Sequence, residues 1–451
     1  MEWVVKIGQL LLSLSILVFL HEWGHYITAR IFKVRVEKFY LFFDFLFPMP
    51  NVLKFSIFKF KRGDTEWGLG WFPLGGYVKI AGMLDESADK EAMKLPPKPD
   101  EFRSKKAWQR LIIILGGIMV NLILGVLIFW MVKFTWGDTH IPYSKTTISV
   151  EDSTLKVAGF KTGDKVLDYE WWGDLQNKII FGEAKNVRVE RDGEILDLAL
   201  PTNIVRDIIK NPKASYFEPR IPFVIGEIEK NSLNYLSGFQ KGDQVVMVDT
   251  VPIQYVDEFR AISKKYIEKN VDVTVNRSGK METIHAKVNS DGILEVKLAS
   301  PKDINKVNDK LMPLVHVKYS FFEALPAGFN AAVKTIVDYV KQFKLIFTPS
   351  TGAYKQVGGF GGMAKMFPGQ WNWEAFWRLT GILSLVLAFM NFLPIPMLDG
   401  GYMMFILWEM ITGKPPGEKF MTIANNVGFV IVMGLLLYAN GNDIFKGIFG
   451  G

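Results

Sequence analysis

The 451-residue chain contains no cysteine, few charged residues and only five histidines. Without cysteine no disulfide can form and no thiolate can bind a metal, so a metal site must use histidine or acidic side chains. Charged residues make up 22% of the chain and hydrophobic residues 49%. This composition is more apolar than that of most soluble proteins, yet too charged for a chain wholly buried in lipid. We therefore expect membrane segments combined with soluble modules.

Four segments are apolar enough to cross a bilayer, which takes about 20 residues. They cover residues 3–32, 111–134, 377–398 and 423–438, and the last is of marginal length. The net charge of +7 does not indicate nucleic-acid binding, because the basic residues crowd beside these apolar segments. That arrangement is typical of charges that set membrane orientation.

An internal repeat lies in the polar stretch between the second and third apolar segments. AGFKTGDKVLDY begins at Ala158 and SGFQKGDQVVMV begins at Ser237. Each copy joins a glycine-containing turn to a strand-like run, which suits a small β-rich module. The two copies resemble tandem PDZ domains of the bacterial, circularly permuted type. Two generic β-domains that bind no peptide are the alternative.

Two of the five histidines fall in one short motif at the end of the first apolar segment. In FLHEWGH, residues 19–25, His21 and His25 are one helical turn apart and converge on one point, at the spacing that suits Zn²⁺. Glu22 lies about 100° round the helix and can reach a water at that metal. The alternative is a pair of interfacial histidines that anchor a helix end. Ionisable groups within a bilayer favour the functional interpretation.

A catalytic zinc takes three protein ligands and leaves one position open. The residues that follow His25 offer only Glu37. Asp399 is a better candidate, because NFLPIPMLDGG contains two prolines that break the third apolar segment and free backbone groups there. An Asp-Gly turn that merely ends a helix is the alternative for Asp399.

Membrane topology gives an independent check on this third ligand. The second segment crosses away from the histidines and the third crosses back, which returns Asp399 to the histidine side, provided that residues 318–347 form an amphipathic interfacial helix rather than a span. Basic residues flank the first two apolar segments on that side: Arg30, Lys33, Arg35, Lys38, Arg103, Lys105, Lys106 and Arg110. The positive-inside rule then predicts a cytoplasmic site and external PDZ-like modules.

Residues 53–80 predict a β-hairpin closed by the turn RGDT. Its aromatic residues suit the membrane interface, and a free strand edge could pair with the unwound backbone of a substrate. The alternative is a hairpin that only packs against the core. Asn391 could pair with the same unwound backbone; a polar contact between helices is its alternative.

Taken together, FLHEWGH, PLGGYVK, the repeated modules and NFLPIPMLDGG resemble the site-2 protease family of intramembrane zinc metalloproteases, and within it the bacterial regulators that cut an anti-sigma factor. The resemblance covers nearly the whole chain. It departs from the family pattern in QVGGFGGMAKMF, where Phe360 replaces a proline. It implies these roles: zinc ligands His21, His25 and Asp399, general base Glu22, and substrate contacts at Asn391, Gly75 and Gly76.

We therefore predict an α-helical integral membrane protein with four transmembrane helices, a membrane-associated β-hairpin and two PDZ-like domains inserted between helices 2 and 3. The expected function is a zinc endopeptidase of the bacterial inner membrane that cleaves the transmembrane segment of a single-pass protein, such as a pre-trimmed anti-sigma factor. Lipid, and peptides at the PDZ-like domains, are further expected partners. The predicted divisions are 1–137 and 376–451 (membrane core), 138–222 and 223–305 (PDZ-like), and 306–375 (linker with the interfacial helix).

Two other function classes remain open. A membrane scaffold with structural zinc would need a fourth ligand, but His140, His285 and His316 fall on the external side in the predicted topology. A metal transporter would need several ionisable groups along a path, and the apolar segments carry only one such cluster.

Overall fold

The computed structural model describes residues 2–46, 52–83, 96–210 and 216–449. The helices are α1 Glu2–Ile31, α2 Ala107–Trp136, α3 Ser153–Val157, α4 Asp174–Ile180, α5 Ile204–Lys210, α6 Val256–Ser263, α7 Pro301–Val307, α8 Phe321–Ile346, α9 Phe360–Met366, α10 Trp373–Phe392, α11 Asp399–Thr412 and α12 Glu418–Phe449. The strands are β1 Val36–Phe43, β2 Ser56–Arg62, β3 Thr65–Gly70, β4 Phe72–Ile80, β5 Asp138–His140, β6 Ile148–Ser149, β7 Lys165–Val166, β8 Asn186–Arg191, β9 Glu194–Ala199, β10 Glu218–Pro219, β11 Ile225–Ile228, β12 Gln244–Val248, β13 Val251–Pro252, β14 Asn270–Arg277, β15 Lys280–Lys287, β16 Val296–Leu298 and β17 Val315–Val317.

The chain divides into two compact units. The helical unit combines Met1–Gly137, Lys318–Lys344 and Lys355–Gly451, and the β unit combines Asp138–Val317 with Leu345–Tyr354. The helical unit contains α1, α2, α9–α12 and β1–β4, and the β unit contains β5–β17.

Four helices of the helical unit are long and apolar enough to cross a membrane: α1, α2, α10 and α12. This confirms the four predicted apolar helices, with two corrections to their bounds. The third helix ends at Phe392 rather than at residue 398, because prolines 394 and 396 disfavour helical backbone in the residues before them. The fourth is not marginal, since its apolar stretch runs over Lys419–Ile448.

Helix α2 lies at the centre of the helical unit and contacts α1, α10 and α11. Small residues allow the closest approaches. A Cβ on Gly24 of α1 would lie 2.3 Å from the carbonyl oxygen of Gly116 in α2, and a Cβ on Gly125 would lie 2.4 Å from the Leu385 side chain of α10. Only glycine fits at such crossings, so α2 is held against both neighbouring helices at backbone distance.

Helix α8 is absent from the set of candidate spans. It buries small residues, Ala324, Gly328 and Ala332, and a Cβ on Gly328 would lie 2.5 Å from the backbone of Trp130 in α2. Phe329, one of the residues expected on the apolar face, is 54% exposed. The helix thus packs through small side chains and presents large apolar ones outward.

Strands β1–β4 form one mixed sheet in the order β2-β3-β1-β4. The predicted hairpin is correct for β2 and β3, where Gly63 takes a positive φ of 63° in the turn. It is wrong beyond Gly70, because β4 leaves β3 and pairs antiparallel with β1. Strand β1 was not predicted from the sequence, and it also pairs parallel with β3.

The two sequence repeats of the β unit have the same internal contacts. Nε of Arg191 donates to Oδ1 of Asp164 at 2.7 Å in the first copy, and Nε of Arg277 donates to Oδ1 of Asp243 at 2.7 Å in the second. Each arginine also donates to the carbonyl of the glycine that opens its repeat. The repeated GD pair thus anchors a turn to a strand in both copies.

Each copy also has its own sheet and apolar core. The first copy contains the sheet β7-β8-β9 and the second contains β13-β12-β14-β15. Separate clusters of buried residues, one around Phe160 and Phe217 and the other around Phe223 and Phe259, fill the two cores. The PDZ interpretation and the predicted domain boundaries stay predictions.

Candidate metal centre

The two motif histidines lie on the face of α1 that packs against α2. His21 and His25 are each 7% exposed. The facing residue of α2 is Gly117, and a Cβ there would lie 2.4 Å from Nε2 of His25 and 2.7 Å from Cε1 of His21. The absence of a side chain at this position gives both imidazoles their room.

Asp399 reaches the histidines through a tight turn between α10 and α11. The start of α11 packs closely against the turn, since a Cβ on Gly400 would lie 2.0 Å from the carbonyl oxygen of Leu393. Met397 takes a positive φ of 84°, a costly conformation for a residue other than glycine. Helix α11 then begins at Asp399 itself. The turn therefore holds this carboxylate at a fixed position.

Three potential ligand atoms form a nearly equilateral triangle. Nε2 of His21 and Nε2 of His25 lie 3.1 and 3.3 Å from Oδ2 of Asp399, and the two nitrogens are 3.3 Å apart. Zinc bound tetrahedrally at about 2.0–2.1 Å separates its ligand atoms by roughly 3.3–3.4 Å. The triangle therefore has the size that a tetrahedral ion with a fourth, open position requires.

The polar contacts of this triangle also fit a cation. Oδ2 of Asp399 is buried and takes part in no hydrogen bond of acceptable geometry. A buried carboxylate beside two imidazole nitrogens without a bridging proton is costly unless a cation compensates it.

Helix α2 supplies hydrogen-bond partners behind both imidazoles. Nδ1 of His25 lies 2.9 Å from the carbonyl oxygen of Ile113, and Nδ1 of His21 lies 3.0 Å from the amide nitrogen of Asn121. Because a carbonyl can only accept, Nδ1 of His25 carries the hydrogen and Nε2 keeps the lone pair that a metal needs. Asn391 contributes a further contact, with Nδ2 3.4 Å from Nε2 of His21.

Glu22 follows His21 on α1 and lies beside the edge strand β4. The Cγ atom of Glu22 would be 3.6 Å from a Cβ on Gly76 of this strand. A Cβ on Gly75 would meet the Phe43 ring at 2.6 Å, and Gly75 takes a φ of +146°. Both glycines therefore belong to the strand that packs beside Glu22.

Most predicted site residues come together, and one rejected candidate does not. The structure brings His21, His25 and Asp399 into one group of three potential metal ligands. Glu37 lies elsewhere, paired with Arg35 at 2.8 Å. Sequence reasoning missed Gly117 and Asn121, although the run LGGIMVNLILG carried a signal: two adjacent glycines and a polar residue inside an apolar span.

A histidine pair on one apolar helix, joined by a distant carboxylate, is the arrangement of a metallopeptidase centre carried by membrane helices. Comparison with known families agrees. The model of peptidase family M50 matches residues 9–435. The chain belongs to peptidase family M50, which confirms the expected site-2 protease family and identifies the protein as a metallopeptidase of the membrane.

The chain is similar to proteins from several different bacteria. It is 28% identical to a Neisseria meningitidis protein named "Putative zinc metalloprotease", with 96% of this chain and 97% of the relative covered. It is 24% identical to the Haemophilus influenzae "Regulator of sigma E protease", with 99% of this chain and 100% of the relative covered. It is 25% identical to a Thermotoga maritima protein also named "Putative zinc metalloprotease", with 96% of this chain and 98% of the relative covered.

Proposed function

We propose that this protein is a zinc endopeptidase that cleaves the transmembrane segment of single-pass membrane proteins. The observation that carries the proposal is the group of His21, His25 and Asp399. Its ligand atoms are spaced as around a tetrahedral ion, and both histidines lie on α1, a helix long and apolar enough to span a bilayer. The names of the bacterial zinc metalloproteases similar to this chain support zinc as the ion.

The three triangle residues hold the ion, and Glu22 moves the proton. When bound, zinc acts as a Lewis acid toward water and the peptide carbonyl. Glu22 accepts a proton from the attacking water and delivers it to the leaving amine. Because Glu22 lies beside β4, its carboxylate is close to the edge at which a substrate strand would bind.

The free edge of β4 is the proposed substrate cradle. A helical substrate must unwind before its carbonyl can be attacked, and its freed backbone groups must then find partners. Strand β4 is at the edge of its sheet, so it can add an extended segment beside Gly75 and Gly76. Asn391, close to His21, supplies an amide that both donates and accepts. The variant Asn391→Leu should slow cleavage while zinc content is unchanged.

The two repeats of the β unit are proposed to be PDZ-like domains that filter substrates by size. On this proposal they lie outside the bacterial inner membrane, the metal centre faces the cytoplasm, and a substrate still carrying a bulky outer domain is excluded. A pre-trimmed anti-sigma factor is the substrate type that fits, and the similarity to a regulator of sigma E protease supports this choice. Deletion of residues 150–305 should then permit cleavage of an untrimmed substrate; unchanged selectivity would remove the filter role.

Co-expression with a single-pass model substrate tests the enzymatic proposal. The wild-type chain should cleave within the membrane segment, and Glu22→Gln should lose cleavage while it retains zinc. Asp399→Asn should lose both zinc and cleavage. Turnover by Glu22→Gln would exclude Glu22 as the base, and full zinc content in Asp399→Asn would point to another ligand.

The rival classes predict different sites. A structural zinc site needs four protein ligands, and a transport path needs several ionisable clusters. In residues 2–46, 52–83, 96–210 and 216–449, one group of three metal-binding side chains occurs, and it has no fourth member. This favours a centre with an open position, as catalysis requires.

A further inference from the structure

Asn121 is a fully buried amide in the middle of the apolar helix α2. Its side chain is 0% exposed, and its nitrogen Nδ2 lies 3.0 Å from Nδ1 of His21. Its oxygen Oδ1 is also buried and has no hydrogen-bond partner. An unpaired amide oxygen at this depth is costly, because it has lost its hydrogen bonds to water and has gained no other partner.

The number of hydrogens that the His21 imidazole carries conflicts with this orientation of the Asn121 amide. Amide nitrogens approach both of its ring nitrogens, Asn121 at Nδ1 and Asn391 at Nε2. A neutral imidazole has one acceptor and one donor nitrogen, so it cannot accept from both. If Nε2 points its lone pair at a metal, Nδ1 must carry the hydrogen and needs an acceptor.

A half-turn of the Asn121 amide about its Cβ–Cγ bond resolves the proton conflict at His21 and moves the amide nitrogen to the position that has no partner. It exchanges Nδ2 with Oδ1 and leaves the backbone in place. The oxygen then accepts from Nδ1–H of His21, so the buried oxygen gains a partner and the imidazole takes the tautomer that binds metal. The carbonyl of Ile113 already serves His25 in the same way at 2.9 Å.

We propose that Asn121 is a positioning residue, whose amide oxygen accepts the Nδ1 hydrogen of His21 and fixes the Nε2 lone pair toward the metal. The inference rests on the proposed zinc site and extends it to α2. One helix then orients both imidazoles, through a backbone carbonyl for His25 and a side-chain amide for His21. Carbonyl or carboxylate partners of this kind orient metal-bound histidines in general.

The backbone of Asn121 is itself held in place. The hydroxyl of Ser384, in α10, donates to the carbonyl oxygen of Asn121 at 2.7 Å, and both groups are buried. This bond does not involve the amide. Ser384→Ala is therefore a matched control that perturbs the same residue without removing the proposed acceptor.

Zinc affinity of the purified full-length chain tests the proposal. Asn121→Leu keeps a similar volume without an acceptor and should weaken zinc binding by about 10- to 100-fold in competition with a chelator. Asn121→Asp, which can only accept, should stay within a few-fold of the wild type. Ser384→Ala should also bind like the wild type. Loss of zinc in the Asp variant equal to that in the Leu variant would show that Asn121 donates, and would overturn the proposal.

A second measurement applies if the aspartate variant does not fold. The visible absorption of the Co²⁺-loaded protein reports the geometry of the ligands, so Asn121→Leu should shift these bands relative to the wild type and to Ser384→Ala. Unchanged bands together with unchanged zinc affinity would overturn the role of Asn121. A wild-type chain that binds no zinc would instead refute the metal site itself, and the two failures are thereby distinct.

Discussion

Replacement of Gly117 by alanine should abolish metal binding although no ligand residue is substituted. The added Cβ would lie 2.4 Å from Nε2 of His25 and 2.9 Å from Nδ1 of His21, whereas ordinary contact begins at 3.4 Å. The imidazole of His25 must therefore retreat by about 1 Å. Functional metal sites tolerate deviations of only about 0.2 Å in ligand distance, so the displacement is roughly five times too large.

The backbone of α2 cannot retreat instead. Gly116 is already in contact with Gly24, and a Cβ on Gly116 would lie 2.6 Å from the carbonyl oxygen of Gly24. Movement of α2 away from α1 would open this crossing along its length. We therefore expect the strain to fall on the histidines, and zinc affinity to fall by more than roughly 100-fold, beyond the effect of losing a partner behind a ligand.

The assay is zinc content after dialysis against a chelator series, with thermal unfolding measured in parallel. Gly434→Ala is the control, because a Cβ at Gly434 meets no atom within 4 Å. That variant should match the wild type in zinc content and in cleavage. If Gly117→Ala retains stoichiometric zinc and cleaves the model substrate, the packing argument is incorrect.

Further predictions concern three partly buried polar contacts. Asp243→Asn removes the charge of the buried carboxylate that pairs with the partly exposed Arg277 and should destabilise the second repeat by about 2 kcal/mol, read from hydrogen exchange in β12–β15; native-like exchange would contradict this. Glu409→Gln removes the partner of Arg110, loosens α11 and should lower zinc affinity, and swapping the two charges should restore it. Asp443→Ala removes the acceptor of two backbone amides at the start of α9, at 2.9 and 2.7 Å, so proteolysis near α9 should increase.

Local sequence signals led to the same three candidate ligands that the structure brings together. His21 and His25 are four residues apart, and a helix places such residues on one face whatever the rest of the chain does. The absence of cysteine reduced the choice for a third ligand to histidine and acidic residues. Among these, Asp399 was selected because it lies at the end of an apolar segment. The fold brings all three to within 3.1–3.3 Å of one another.

The sequence by itself thus determined the features that depend on near neighbours: four apolar helices, the β2–β3 hairpin, the repeated GD turns and the paired histidines. Only the tertiary structure decided which distant segments meet. It pairs β4 with β1, and it brings Gly117 and Asn121 of α2 against the histidines of α1. Periodicity identifies the buried face of a helix but not the helix that covers it, because that choice depends on packing between residues nearly a hundred positions apart.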